Sequence, residues 1–313
     1  MEREVTSIFE RRYPRIVKAD EIGEFSSETS VDLSILILNY KTPTLVRQCL
    51  KSIEKFPPQG YTYEVIVIDN DSRDGLGEFL EDEFPGVTFI PNEVNLGFPK
   101  AMNQGLRLSK GRYVLLLNPD ITVLDDALTK MMNKMEEEQD IGMLGPKLLN
   151  PNGSLQHSCL GSYTTIPLVI YRRTKFGETK RGKGMVSEFL MEDWDHSSTR
   201  EVAWMLGSSL LARRTVIEKV GLMDERFFMY LEDVDWCRRF RDAGYRVTYF
   251  PEAQMIHYYA RGSASPNIFM ALTNRLTRVH IASAVKFWMK YRNHESKPIP
   301  EQTDEQTQAT AGA

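Results

Sequence analysis

Three groups of polar residues in this sequence have the types and spacing to do chemistry. The first is Asn118-Pro119-Asp120, directly after the apolar run Tyr113 to Leu117. A carboxylate there can face a diphosphate across one divalent cation, magnesium or manganese, with substrate phosphates completing the oxygen shell. The same tripeptide is also an ordinary turn. The second group is Glu232, Asp233 and Asp235, set among Phe227, Phe228, Tyr230 and Trp236. Carboxylates in apolar surroundings hold protons more tightly, as a general base working near neutral pH requires. Consecutive residues on a helix point in different directions, so Glu232 and Asp233 would have separate roles. An acidic first helical turn favoured by the macrodipole is the other reading, but it leaves the flanking aromatics unexplained. The third is His257, whose imidazole can be a metal ligand or a structural residue. Trp194, Trp204 and Trp236 can stack on a sugar ring or fill a core.

The elements that must position these residues follow from hydrophobic pattern. The run LSILIL at Leu33 to Leu38 suits a strand buried on both faces and stops at Asn39. Thr42 and Pro43 offer a helix start, and Leu45, Cys49, Leu50, Ile53 and Phe56 recur at helical spacing. The unit repeats: a strand from Glu64 to Ile68 ending at Asp69, a helix from Leu76 to Phe84, a strand from Val87 to Ile90. After the loop NEVNLGF a helix runs from about Pro99 to Lys110, with Gly111 expected as its left-handed stop. The strand Tyr113 to Leu117 then ends at Asn118. This alternation predicts an α/β fold with a mostly parallel sheet and right-handed crossovers, which binds ligands beyond the carboxyl ends of its strands. Asn39, Asp69, Asn70, Asp71, Asn118 and Asp120 all stand there. Asn and Asp also shape turns, but several strands ending this way together favour a ligand site.

The second half is less regular. After Ile141 to Leu148 and the turn at Asn150 to Gly153, residues 154–200 are expected to form a loop around an acceptor, with Lys175, Lys180, Arg181 and Lys183 as a basic cluster. Order is expected to return at Val202 to Arg214, with helices at Thr215 to Val220 and Leu231 to Ala243, the second closed by Gly244. A strand from Arg246 to Phe250 follows.

With 313 residues, 42% of them hydrophobic, the chain can bury a sizeable core. Lys plus Arg number 39 against 43 Asp plus Glu, a net charge of -4, so nothing global recommends a nucleic-acid partner. Cys49, Cys159 and Cys237 are odd in number and far apart, which speaks for a reducing, cytoplasmic setting over a disulfide framework. Charges run through the first 30 residues, against a secretory signal, and no apolar stretch has the length of a membrane span. A soluble or peripheral protein is expected.

Taken in order, the segments SILILNYKT, EVIVIDNDSRDG, NEVNLGFPKAMNQGL, GRYVLLLNPDI, VAWMLGSSLLARR and MDERFFMYLEDVDWCRRFRDAGYRVTYFPEAQMIH resemble glycosyltransferase family two, in particular its rhamnosyltransferase-like members. The resemblance spans about residues 33 to 262. It implies a GT-A fold, a Rossmann-like sheet flanked by helices, and inverting transfer from a nucleotide-diphosphate sugar in cell-surface polysaccharide assembly. It places Asp69 on the donor nucleotide, with Asn39, Asp71, Gly97, Asn103 and Asn118 around the nucleotide-sugar. Asn118 and Asp120 become the family's DXD element, with Asp120 and His257 on the metal. Asp233 becomes the base, and Gly207, Glu232 and Trp204 border the acceptor. The donor it favours is dTDP-L-rhamnose, a UDP-sugar being the other candidate; the acceptor is a saccharide, free or polyprenyl-linked. Two departures stand out: asparagine opens the DXD element, leaving one carboxylate for the cation, and Pro99-Lys100 replace the small residues many relatives carry after GF.

The organisation expected is an extension over 1–30, a catalytic domain over 31–262 divided near 125 into nucleotide-binding and acceptor-binding halves, a helix over 263–293 and a disordered tail over 294–313. Between Asn267 and Asn293 no acidic residue interrupts Arg275, Arg278, Lys286, Lys290, Arg292 and the apolar residues between them. Such a basic amphipathic helix either lies on an anionic bilayer at the inner face of the plasma membrane or packs on its own domain. Competing functions have less support. A sugar nucleotidyltransferase needs a glycine-rich, arginine-bearing loop where NYKTPT stands, a dehydrogenase needs G-x-G-x-x-G, and a non-catalytic sugar-binding or scaffold protein has no need of Asp120 and Asp233.

Overall fold

Near-continuous apolar runs alternate with amphipathic helices, and the result is a large twisted sheet covered on both faces, with a separate two-stranded antiparallel sheet. The computed structural model describes residues 15–165, 168, 171, 175–258 and 274–294. Its strands are β1 (Arg15–Ile16), β2 (Val31–Asn39), β3 (Tyr63–Asn70), β4 (Thr88–Asn92), β5 (Gly111–Leu117), β6 (Ile121–Val123), β7 (Ile141–Leu149), β8 (Leu155–Gln156), β9 (Cys159–Leu160), β10 (Arg200–Glu201), β11 (Trp204–Met205), β12 (Ser209–Arg213) and β13 (Arg246–His257). The α-helices are α1 (Pro43–Lys55), α2 (Leu76–Glu83), α3 (Phe98–Leu108), α4 (Ala127–Glu137), α5 (Lys180–Leu190), α6 (Arg214–Val220), α7 (Glu232–Asp242) and α8 (Arg275–Tyr291).

Sheet order is β1-β4-β3-β2-β5-β12-β7-β13-β10, with β6 on β13 and β8 on β7. Strands β1 to β5 are mutually parallel, and β12 lies antiparallel between β5 and β7. The chain steps outward from β2 through β3 to β4 and then returns to β5 on β2's other side. That reversal makes the gap between the carboxyl ends of β2 and β5 a topological switch point, where such sheets hold ligands. Alternate residues of β2 face opposite cores: Leu33, Ile35 and Ile37 pack with α1, α2 and α4, whereas Leu36 and Leu38 pack with α3, α6 and α7.

Four expectations are revised. Gly111 does not stop a helix: α3 ends at Leu108 and Gly111 opens β5, where a Cβ would lie 2.4 Å from the Ser34 amide nitrogen. Within 154–200 a helix stands where loop was expected, α5, capped by the Thr179 hydroxyl and seating Phe189 in the core. Strand β13 runs past Phe250 to His257, its register against β7 shifting between Phe250 and Gln254. Within the expected 1–30 extension, Arg15 and Ile16 pair with β4 as an edge strand.

The expected C-terminal helix is α8; residues 263–273 of that expectation, and 295–313 of the expected tail, lie outside the described residues. Ser283, Phe287 and Tyr291 turn α8 onto the catalytic domain. Asp235, fully buried, accepts from the ammonium of Lys290 (2.5 Å) and the hydroxyl of Tyr291 (2.8 Å) while pairing with Arg239. Among the described residues no helix is long and apolar enough to cross a membrane.

Candidate active site

Register brings the first two polar residues together, since Asn39 and Asp69 are paired positions at the ends of β2 and β3. Asn39 is wholly buried. Its amide donates to Asp69 Oδ1 (2.8 Å), Ser72 Oγ (3.0 Å) and Asp74 Oδ2 (3.0 Å), while its carbonyl oxygen accepts from the Thr42 amide and hydroxyl. The other Asp69 oxygen accepts from the Ser72 amide at 3.0 Å. Asp71, in left-handed conformation (φ 64°), stands partly exposed beside Asp69 and pairs with Arg73.

Asn70 carries the arrangement onward. It accepts from the Leu96 amide (2.9 Å), and the Gly97 amide donates to Asn95. Gly97 has φ 82°, and a Cβ there would come within 2.4 Å of the Phe228 carbonyl oxygen, so both conformation and space call for glycine. The Phe98 amide donates to that same carbonyl at 2.8 Å. Asn103, buried on α3, exchanges hydrogen bonds with the Met223 backbone and donates to Glu225. The first half of the chain thus grips residues 223–228, the approach to α7. Tyr230 and Leu231 then both take left-handed backbone, φ 71° and 68°. Two adjacent non-glycine residues held this way cost on the order of 1–3 kcal/mol each and set the angle at which α7 presents its first turn.

That first turn carries Glu232 and Asp233. Asp233 Oδ2 accepts from the Gly207 amide (2.9 Å) and its Oδ1 from the Val234 amide (2.8 Å). The next residue, Ser208, accepts the Asn118 amide on its carbonyl at 2.8 Å, because β12 pairs Ser209 with Leu117 of β5. A short stretch of main chain therefore joins the Asn118-Pro119-Asp120 turn to the Asp233 carboxylate. On the far side of that turn, β6 pairs Ile121 with His257, which puts the imidazole Nε2 3.3 Å from Asp120 Oδ1.

Among the described residues no three potential metal ligands cluster, and Asp120 with His257 is a pair that could take part in holding a divalent cation. Asp120 Oδ1 is buried and accepts no hydrogen bond among the described residues. Gln156 donates through its amide to Asn150 and so turns its carbonyl oxygen to His257 Nδ1, at 2.6 Å. That partner orients the ring so that Nε2 faces the Asp120 carboxylate. The two groups, 3.3 Å apart, could supply one edge of a coordination shell, with the oxygens of a donor diphosphate completing it.

Burial raises the pKa of Asp233, against the opposing effect of its backbone donors. Glu232, buried with Oε2 lacking a hydrogen-bond donor among the described residues, is raised well above its ordinary 4.5, first by burial and then by the Asp233 charge. The folded protein therefore holds the Glu232 proton more tightly than the unfolded chain does. The stability this contributes is complete below about 4.5 and is lost as pH climbs through the folded-state value. Glu232→Gln is expected to flatten that loss and raise Tm at pH 8, with both proteins converging at acidic pH. Superimposable Tm-against-pH curves would show that the carboxyl is solvated.

Asp69, Asn118, Asp120, Gly207, Glu232, Asp233 and His257 thus gather around one end of the sheet, and Gly97 holds the neighbouring loop. Asn39 and Asn103 do not open to that crevice, because both are buried with their amides engaged by protein. Nor does Trp204: 7% exposed, it lies 6.2 Å from Phe189 between ring centres, and its indole donates to the Ser162 carbonyl. Two contributors carry no sequence signal, Gln156 behind His257 and the strained pair Tyr230-Leu231. Asp235, grouped by sequence with the other two acids, anchors α8.

Comparison with known proteins agrees with this architecture. Residues 34–181 match the profile of glycosyl transferase family 2. The chain is 28% identical over 240 residues to N-acetylglucosaminyl-diphospho-decaprenol L-rhamnosyltransferase of Mycobacterium tuberculosis, covering 72% of this chain and 76% of that protein. It is 24% identical to the rhamnosyltransferase WbbL of Escherichia coli, covering 77% and 88%. Among solved structures, the mannosyltransferase PcManGT of Pyrobaculum calidifontis, in complex with GDP-Man and Mn2+, superposes with a TM-score of 0.55 at 16% identity, over 88% of this chain and 68% of that one. The likeness to that structure is one of fold, a GT-A fold. Strand order, the crevice at the β2–β5 reversal and the profile match agree: over residues 34–181 the chain is similar to glycosyl transferase family 2, it has a GT-A fold, and the relatives it resembles over most of their length include two rhamnosyltransferases.

Proposed function

We propose that the protein transfers L-rhamnose from dTDP-L-rhamnose, with inversion, to a hydroxyl of a saccharide carried on a polyprenyl diphosphate, at the inner face of the plasma membrane. The sugar and the lipid carrier come from the names of the relatives, and a UDP-sugar is the alternative donor. The observation that carries the reaction type is the main-chain junction Asn118–Ser208 and Gly207–Asp233, which sets a candidate metal carboxylate on one side of the crevice and a proton-holding carboxylate on the other.

In this reading Asp69 and the loop it braces hold the nucleotide, with Asp71 alongside, and Asn118 and Gly97 border the sugar diphosphate. Asp120 and His257 would hold the divalent cation, which when bound neutralises charge on the departing diphosphate. Asp233 takes the proton of the acceptor hydroxyl as its oxygen attacks the anomeric carbon. Its raised pKa gives the carboxylate more affinity for that proton than an exposed aspartate has. The Gly207 amide fixes one carboxylate oxygen, so the base is oriented before substrate arrives. Glu232, protonated more readily than an exposed glutamate, can donate a hydrogen bond to an acceptor oxygen without placing a second anion beside Asp233.

A panel of dTDP- and UDP-sugars, incubated with the protein, magnesium or manganese and lipid-linked saccharide acceptors, tests this reading through release of nucleoside diphosphate. Release above the acceptor-free blank is expected with dTDP-L-rhamnose. A thermal shift with donor but no release from any pairing would leave a sugar-binding protein instead.

A further inference from the structure

Helix α8 is amphipathic in an unusual sense: its inward face is partly polar and its outward face is apolar. Ser283, Lys290 and Tyr291 bond to the domain, whereas Ile281, Val285, Trp288 and Met289 are 44%, 50%, 50% and 54% exposed. Ile281, Val285 and Trp288 stand at i, i+4 and i+7, one stripe along the helix, with Met289 beside it. Arg278 and Arg292 fall on the same stripe, and the exposed Arg275 and Lys286 flank it. No acidic residue occurs between Arg275 and Tyr291. Beside the stripe lies a cavity of about 420 Å³ lined by Arg226, Phe227, Lys286, Met289 and Lys290. Asp224 pairs with Arg226 (2.5 Å) and Lys290 (2.8 Å), and Lys290 also meets Asp235, so Lys286 is the lining cation whose ammonium is held by a neutral carbonyl, that of Arg226.

We propose that the outer face of α8 docks the protein on an anionic lipid bilayer. Ile281, Val285, Trp288 and Met289 enter the boundary between headgroups and acyl chains, the depth tryptophan favours, while Arg275, Arg278, Lys286 and Arg292 lie against lipid phosphates. The cavity sets cations next to Met289, matching a phosphate headgroup above its own acyl chain. Charge decides the occupant: an apolar stripe with basic residues along it and no acidic residue in its helix complements a negative bilayer, with each arginine or lysine contributing about fivefold to partitioning. The inner face keeps its hold on Asp235, so docking does not require α8 to leave the domain. The inference takes its purpose from the lipid-linked acceptor proposed above, because a docked helix lets the crevice work at the surface that carries such an acceptor.

Co-sedimentation of the full chain with vesicles of equal phosphatidylglycerol and phosphatidylcholine, against phosphatidylcholine alone, tests the proposal. The wild-type protein is expected to pellet with the anionic vesicles at least tenfold more strongly. The variant I281S/V285S/W288S/M289S is expected to lose at least tenfold of that binding with an unchanged circular dichroism spectrum. Arg278→Glu with Arg292→Glu, which leaves the apolar stripe intact, is expected to lose the anionic preference. Wild-type protein that ignores both vesicles, or a quadruple variant that pellets like wild type, overturns the inference. So does a dimer that disappears in the quadruple variant while vesicles are not bound, since a second copy would then cover the stripe. Donor turnover with a water-soluble acceptor, measured in the same samples, reports on the transferase reading separately.

Discussion

Asp233→Asn is expected to lower kcat on the order of a thousandfold with little change in donor binding. Loss of a positioned general base costs about 10² to 10⁴ in rate, and in the proposed reading Asp233 serves the acceptor while other residues hold the nucleotide. Asparagine keeps the size of the side chain but can accept from only one of the two amides that Asp233 serves, Gly207 and Val234. A modest loss of stability follows, about 1–2 kcal/mol for the mispaired donor, too small to unfold a core of this extent. Donor affinity measured by thermal shift separates the two effects. The pH profile gives a second readout: the wild-type acidic limb of kcat should lie above the ordinary 3.8 of an exposed aspartate, because burial raises Asp233, and the variant's residual rate should lack that limb. A variant with wild-type turnover removes Asp233 from the mechanism.

Asp120→Ala is expected to reduce transfer by about 10² to 10³, the scale on which enzymes depend on charge stabilisation at a leaving group. Its effect should track the cation. Chelation is expected to silence the wild-type protein, titration with manganese or magnesium to restore it, and the variant to need far more metal for any recovery. With asparagine at position 118, no second carboxylate in that turn can take over. Gln156→Leu supplies the graded control. It touches no substrate in this reading but frees His257 to rotate and change tautomer, for which about 10- to 100-fold weaker metal affinity is expected. Equal metal titrations for wild type and Asp120→Ala would place the cation elsewhere.

The first half of the sheet was legible because its physics is local. A strand buried on both faces must be an apolar run, and a parallel strand that ends at a ligand crevice ends in polar residues; Leu33 to Asn39 and Tyr113 to Asp120 show both. What escaped reading was set by distant partners. The strand was expected to end at Phe250, yet a register shift around Pro251, which lacks a backbone donor, carries β13 on to His257 and thereby to Asp120. Two glycines in KRGKGMVSEFL weaken its helical pattern, and α5 is fixed instead by the Thr179 cap and by Phe189 reaching the core. The jobs of Asn103 and Asp235, tying α3 to residues 223–225 and α7 to α8, depend on contacts 120 and 56 positions away along the chain. Tyr230 and Leu231 belong to the same class, since nothing in their types announces left-handed backbone.

The continuity of the sheet sets how this enzyme could be remodelled. Because β12 from the second half of the chain is hydrogen-bonded along β5 from Leu117 to Tyr113, the two halves of the sequence share a backbone seam. Exchanging one half for that of a relative would tear a ladder and expose two bare strand edges, inviting aggregation. New acceptor preferences are therefore more accessible by rewriting loops at the crevice rim than by recombining modules. The β5–β12 ladder likewise leaves closing motions during turnover to those loops rather than to a bend along that seam.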